Sequence, residues 1–256
     1  MLPPEITDSI IDNLGYDKVA LARCSLVCKS WTPRSRLRLW KTVSVSSVGT
    51  RAARFLELAQ SSPVPYFIKH LDIYSVKVPV FVSLLAELPK FSVLKTISID
   101  SIHGTIVRVP HTSSARYTMS QVSMTISRSS FATMADLYYL VAHFSHLRSL
   151  NIDSEVYVDD IRTVPPKSSL AEGGLQLERL AIGVQDSGNA ACLLSHVGPV
   201  RARSLTLVFI GSIPSWFEPI WKVCTPYIEH LRLESRGHSD CTISCCDRDC
   251  KLTALR

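Results

Sequence analysis

A short apolar motif recurs along this 256-residue chain at nearly constant spacing, and internal repetition restricts the fold more than any other feature of the sequence. The pattern is L-x-x-L-x-L with any aliphatic residue at L. Full copies are Ile68-Leu71-Ile73, Leu94-Ile97-Ile99, Leu147-Leu150-Ile152, Leu177-Leu180-Ile182 and Ile228-Leu231-Leu233, and weaker ones are Met124-Ile126 and Ala202-Leu205-Leu207. Taking the middle residue as a marker gives positions 71, 97, 124, 150, 180, 205 and 231, which are 26, 27, 26, 30, 25 and 26 residues apart. Val43 and Val45 stand one period earlier, and Leu252 with Leu255 begins a further copy.

The last two apolar positions of each motif alternate with polar residues, the period of a strand with one buried face. Before most strands, apolar residues fall at helical spacing: Phe55, Leu56 and Leu58; Val80, Leu84 and Leu88; Leu137, Leu140, Val141 and Phe144; Leu193, Leu194 and Val197; Trp216, Ile220 and Val223. One helix and one short strand cannot cover their own apolar faces, so neighbouring units must stack with a parallel sheet on one side and helices on the other. The expected class is α/β, a curved solenoid over residues 42–256. Spacing and motif resemble leucine-rich repeats, in an irregular form without the usual Asn or Cys after the strand. Residues 104–117 lack a helical period and predict a loop, while the long repeat between Leu150 and Leu180, with Asp159-Asp160, Pro165-Pro166 and Gly173-Gly174, predicts a surface insertion. The last copy breaks off without a polar cap, which reads as truncation at the C-terminus.

The first forty residues follow another grammar. Pro3 and Pro4 suit a helix start, Glu5 favours the positive end of the helix dipole, and Ile6, Ile10 and Leu14 fall at i, i+4 and i+8. Gly15 predicts the end of that helix, Asp17 predicts the cap of a second helix through Cys24, and Val27 to Arg36 predict a third carrying Trp31. The run Leu2-Pro3-Pro4-Glu5-Ile6, the spaced aliphatics, Val27-Cys28-Lys29-Ser30-Trp31 and the closing Leu39-Trp40 resemble the F-box. An N-terminal three-helix F-box-like domain over residues 1–41 ahead of the repeats is the organisation this implies.

The resemblance implies the substrate-recognition subunit of an SCF-type ubiquitin ligase, in which the F-box docks on a Skp-type adaptor that connects it to a cullin scaffold, and the repeats bind a target protein. Carried over residue by residue, Leu2, Pro3, Ile6, Ile10 and Leu14 face the adaptor, with Leu21, Leu26, Val27 and Trp31 partly docking and partly core. Cys24 and Cys28 fit small buried positions of the same pattern. Two rival readings stand beside it: an F-box scaffold that delivers no substrate, and a repeat protein that binds nucleic acid or zinc.

Composition narrows the classes further. Hydrophobic residues make up 46% and charged ones 20%, below the usual share of about 25%, so the chain folds rather than forming a charged tail. A net charge of +6 spread along the whole length does not point to nucleic acid. The longest apolar stretch, Val78 to Leu88, is interrupted by Pro79, Ser83 and Glu87 and is too short to span a bilayer. The N-terminus has neither the basic run nor the apolar region of a secretory signal, which implies the cytosol or nucleus and thiols rather than disulfides for the eight cysteines.

No catalytic motif is present, and no cofactor is expected: there is no nucleophile elbow, phosphate-binding loop or H-E-x-x-H. His238, Asp240, Cys241, Cys245, Cys246 and Cys250 offer enough ligands for zinc, but not as C-x2-C pairs, so no metal site is assigned. The side chains interleaved in the strands are expected to line the concave face, among them Lys69, His70, Lys95, Asn151 and the arginines of the later repeats. Arg148, Arg179, Arg203 and Arg232, with Asn151 among them, predict one basic stripe for an acidic or phosphorylated target segment, since Arg grips such groups bidentately.

Overall fold

The computed structural model describes residues 3–15, 17–47, 50–104, 122–142, 144, 147–160, 176–184, 201–210, 228–236 and 242–245. The chain opens with helices α1 (Pro4–Asn13), α2 (Lys18–Val27) and α3 (Thr32–Trp40). Then follow β1 (Thr42–Ser46), α4 (Arg51–Ser61), β2 (His70–Tyr74), α5 (Val78–Glu87), β3 (Thr96–Asp100), β4 (His103–Gly104), β5 (Val122–Ser127), β6 (Ser130–Thr133), α6 (Met134–Ala142), β7 (Leu147–Ile152), β8 (Tyr157–Asp160), β9 (Gln176–Val184), β10 (Arg201–Ile210), β11 (His230–Arg236) and β12 (Thr242–Cys245).

The parallel sheet expected from the repeat is present. Its order is β1-β2-β3-β5-β7-β9-β10-β11, with β12 added antiparallel at the far edge. Val43, Leu71, Ile97, Met124, Leu150, Leu180, Leu205 and Leu231 are register partners from each strand to the next, so the markers read from sequence form one row across eight strands. The repeat therefore fixes the register, because slipping one residue would turn every apolar side chain to the opposite face.

One core runs between this sheet and the helices. Leu71, Ile73, Ile97, Ile99, Met124 and Ile126 from the strands join Ala52, Phe55 and Ala59 of α4, Phe81, Leu84 and Leu85 of α5, and Leu137, Leu140 and Val141 of α6. Burying each large aliphatic side chain there stabilises the fold by about 1.5–3 kcal/mol. Phe55 and Phe91 meet tilted, with ring centroids 6.4 Å apart.

A second, three-stranded parallel sheet, β4-β6-β8, was not part of the sequence expectation. Its strands have two to four residues, too few to display an alternation, yet Phe131 and Val158 bury in the common core. The turns leading towards the next elements share one conformation: Ser75, Ser101 and Arg128, each four residues after its marker, have φ of 50°, 55° and 44°. Neighbouring turns are tied by Ser75 N–H to Asp100 O at 2.9 Å and Ser101 N–H to Ser127 O at 3.2 Å. The buried Ser129 hydroxyl donates to Ser127 O at 2.8 Å and accepts from Ile102 N–H at 3.2 Å, satisfying backbone groups that no ladder reaches.

The three N-terminal helices differ from expectation at their ends. α1 stops where predicted, with Gly15 in the left-handed region at φ +59°, and the Asp17 carboxylate caps α2 by accepting from Val19 N–H at 3.0 Å and Ala20 N–H at 2.9 Å. α2 runs on to Val27 rather than ending at Cys24, and α3 begins at Thr32 rather than Val27. Pro33 explains the shift: it lacks an N–H and belongs in a first helical turn, not an interior. Trp40, at the end of α3, packs against the sheet core.

Of the loop predicted over 104–117, Gly104 belongs to β4 and the rest lies outside the described residues; of the predicted surface insertion, Asp159 and Asp160 end β8, while Pro165-Pro166 and Gly173-Gly174, like the helical segments around Leu193 and Trp216, lie outside the described residues. So do Leu252 and Leu255.

Candidate functional site

Helix α1 has two unlike faces. Thr7 and Ile11, one turn apart, are buried, whereas Ile6 and Ile10 are 49% and 40% exposed. Val19, Leu26 and Val27 of α2 are also exposed, Leu26 at 85%. Such small helices enclose too little volume to bury all their aliphatics, and the surplus is left exposed. Among the described residues, the remaining exposed large apolar side chains, Leu58, Tyr66, Tyr74 and Tyr157, belong to other elements.

Of the residues predicted to face an adaptor, Pro3, Ile6, Ile10, Leu26 and Val27 are exposed, and Leu14 and Trp31 are half-buried. Leu21, expected to be partly docking and partly core, is buried at 1% exposure. Leu2 lies outside the described residues. Val19, in the first turn of α2, is exposed as well, although it is not among the residues the resemblance assigns to the adaptor. Cys28 also departs from expectation. It is exposed, with extended backbone just past α2, and Cys24 is half-buried. The Ser30 hydroxyl, 3.1 Å from the Cys28 sulfur, and then the Trp31 N–H lower the thiol pKa.

A charge network fixes the angle of α1. Asp12 accepts from Arg34 Nε at 2.8 Å and Arg38 Nε at 2.7 Å, with a second contact to Arg34 Nη2, so one carboxylate holds α1 to α3. These hydrogen bonds, Arg38 first, hold the Asp12 carboxyl well below the usual carboxylate range.

The basic stripe predicted on the sheet divides. Arg148 and Arg203 stand two residues before their markers, Arg179 one before, and Arg232 and Asn151 one after, so the five occupy three register rows. Arg148 pairs with Glu178 at 2.5 Å, and Arg232 with Glu234 at 2.6 Å. Arg179 and Arg203 are exposed and, among the described residues, make no ion pair. A single stripe of four free guanidinium groups is therefore not what the structure contains.

The chain matches no protein-family model and no curated protein. Among the described residues no group of three or more His, Cys, Asp or Glu is arranged to hold a metal ion, and no helix is long and apolar enough to cross a membrane. Of the C-terminal cluster, Cys245 lies on β12, opposite Leu231, while His238, Asp240, Cys241, Cys246 and Cys250 lie outside the described residues.

Proposed function

We propose that the chain is a non-catalytic receptor subunit of an SCF-type ubiquitin ligase, acting in the cytosol or nucleus. In this reading helices α1–α3 form an F-box that binds a Skp-type adaptor and through it a cullin scaffold. The repeat-built α/β domain, a leucine-rich-repeat-like solenoid, presents a target protein. The supporting observation is that Ile6 and Ile10 of α1 and Leu26 and Val27 of α2 are exposed large aliphatics, with α1 tied to α3 by Asp12, Arg34 and Arg38. Exposed aliphatics of this number on so small a unit are what a protein interface would cover. The chemistry would reside in a conjugating enzyme elsewhere in the assembly, and the receptor would act by raising the local concentration of a target lysine near it.

The test is co-purification of the full chain with a Skp-type adaptor, beside an Ile6→Asp/Ile10→Asp double variant. Both residues are exposed, so the variant should keep the circular dichroism and Tm of the parent while losing the adaptor. Absence of binding by the folded parent chain would overturn the proposal.

A further inference from the structure

We infer that the edge of the sheet beside the helical bundle, where Lys41, Lys69 and Lys95 stand in one register row, is a docking site for an acidic, phosphorylated segment of a partner protein. This deepens the receptor reading and rests on it. It moves target binding from the arginines of the later strands to the lysines of the first three.

The row is built by the backbone. Lys69 N–H and His70 N–H both donate to Lys41 O, at 2.9 and 3.0 Å. Lys95 N–H and Thr96 N–H both donate to Lys69 O, at 2.8 and 3.1 Å, and Ser123 N–H donates to Lys95 O at 2.8 Å, so that the next position of the row is the buried Val122. The backbone of each lysine therefore stands beside the next at the strand spacing of about 4.8 Å, so the three side chains leave the sheet from adjacent positions. The same row farther along alternates in sign, reading Arg148, Glu178, Arg203 and Glu229, and there Arg148 and Glu178 pair. Among the described residues none of the three lysines has an acidic partner.

Like charges side by side on neighbouring strands destabilise a sheet, so the row carries a standing electrostatic cost that a bound anion would relieve. All three ammonium groups act on one place. His70, whose Nδ1 lies 2.8 Å from Thr96 Oγ1, has its pKa lowered by burial first, then by Lys41, Lys95 and Lys69, with Asp72 opposing. Lys18 adds a fourth cation at the junction by donating from Nζ to Thr42 O at 3.1 Å. Three lysines over two strand spacings match two or three anionic groups, the supply of a short phosphorylated segment. A nucleic acid draws instead on a longer track of phosphate contacts.

Fluorescence anisotropy on the full chain tests this, using as probe a labelled peptide with two phosphoserines separated by one glycine. Binding is expected, with Lys69→Gln/Lys95→Gln weakening it at least about tenfold and Arg179→Gln/Arg203→Gln, an equal charge loss on the later strands, changing it by less than about twofold. By NMR the His70 pKa should rise on binding, because a nearby anion favours the imidazolium against the field of the three lysines. The inference is overturned by no binding, by equal binding of the unphosphorylated peptide, or by equal losses in the two double variants. An RNA oligonucleotide that competes as well as the peptide would overturn it too, showing a generic polyanion site. The receptor reading fails separately: phosphopeptide binding without adaptor binding would leave the row standing and remove the ligase assignment.

Discussion

Ser75, Ser101 and Arg128 repeat a left-handed backbone in successive turns, and for residues with a Cβ that conformation costs about 1–2 kcal/mol. Ser75 is the cleanest place to measure it, because its own carbonyl and N–H, not its side chain, tie it to Ser47 and Asp100. Ser75→Gly should raise the unfolding free energy by up to about 1 kcal/mol in denaturant titrations, glycine's greater unfolded-state entropy offsetting part of the relief. Ser75→Val should lower it by about 1–2 kcal/mol. Asp12 gives a pH-dependent counterpart. Its carboxyl pKa is depressed in the folded chain, so its contribution is fully present above the unfolded value of about 4 and is lost as pH falls through and below it. With all three side chains partly exposed to solvent and salt, the network contributes about 1 kcal/mol. Asp12→Asn should therefore be less stable than the parent by about that much at pH 7, the gap closing towards pH 2 in pH-resolved thermal melts.

At the scale of elements, α6 is held by a reciprocal cap. The Asp136 carboxylate accepts from Thr133 N–H at 2.9 Å and from the Thr133 hydroxyl at 2.8 Å, while Asp136 N–H donates to Thr133 Oγ1 at 3.2 Å. Asp136 is buried, so Asp136→Ala should cost about 1–2 kcal/mol and speed hydrogen exchange at Thr133 and the first turn of α6. The Thr-x-x-Asp spacing of that cap is written in the sequence, as are the helices around Phe55, Leu84 and Leu140, because an amphipathic period survives whatever the tertiary context. β4, β6 and β8 are not legible, since their pairing depends on where the preceding turns aim them. The same limit applied to the surfaces. The outward face of Ile6 and Ile10 follows from the F-box resemblance and not from their period, which by itself describes a face to be buried; in the structure Thr7 and Ile11 take the inward positions instead. The offsets of Arg148, Arg179, Arg203 and Arg232 from their markers are legible too and already split the stripe, but the pairing of Arg148 with Glu178 and of Arg232 with Glu234 is not, because it depends on how long side chains on neighbouring positions arrange themselves.

In the main sheet of the whole molecule, each strand between the edges is hydrogen-bonded to the strand on either side of it in the sheet order, and β1 has one such neighbour where β3, which carries Ile97, has two. Stability in such an array is a sum of local and nearest-neighbour contributions, so damage should spread outward from its origin rather than uniformly. Ile97 is 1% exposed and stands opposite Leu71 and Met124, so Ile97→Ala removes apolar contact from both interfaces and should cost about 2–5 kcal/mol. Val43 borders one interface, carries one methylene less, and on truncation to Ala should cost about 1–2 kcal/mol. Hydrogen exchange separates the nearest-neighbour account from a fully cooperative one. In Ile97→Ala, amides of β2 and β5 should lose protection together with those of β3, while β10 and β11 keep most of theirs. An equal loss across all strands would mean that the shared core under α4, α5 and α6, which joins the early strands to one another, couples the entire sheet into a single unfolding unit.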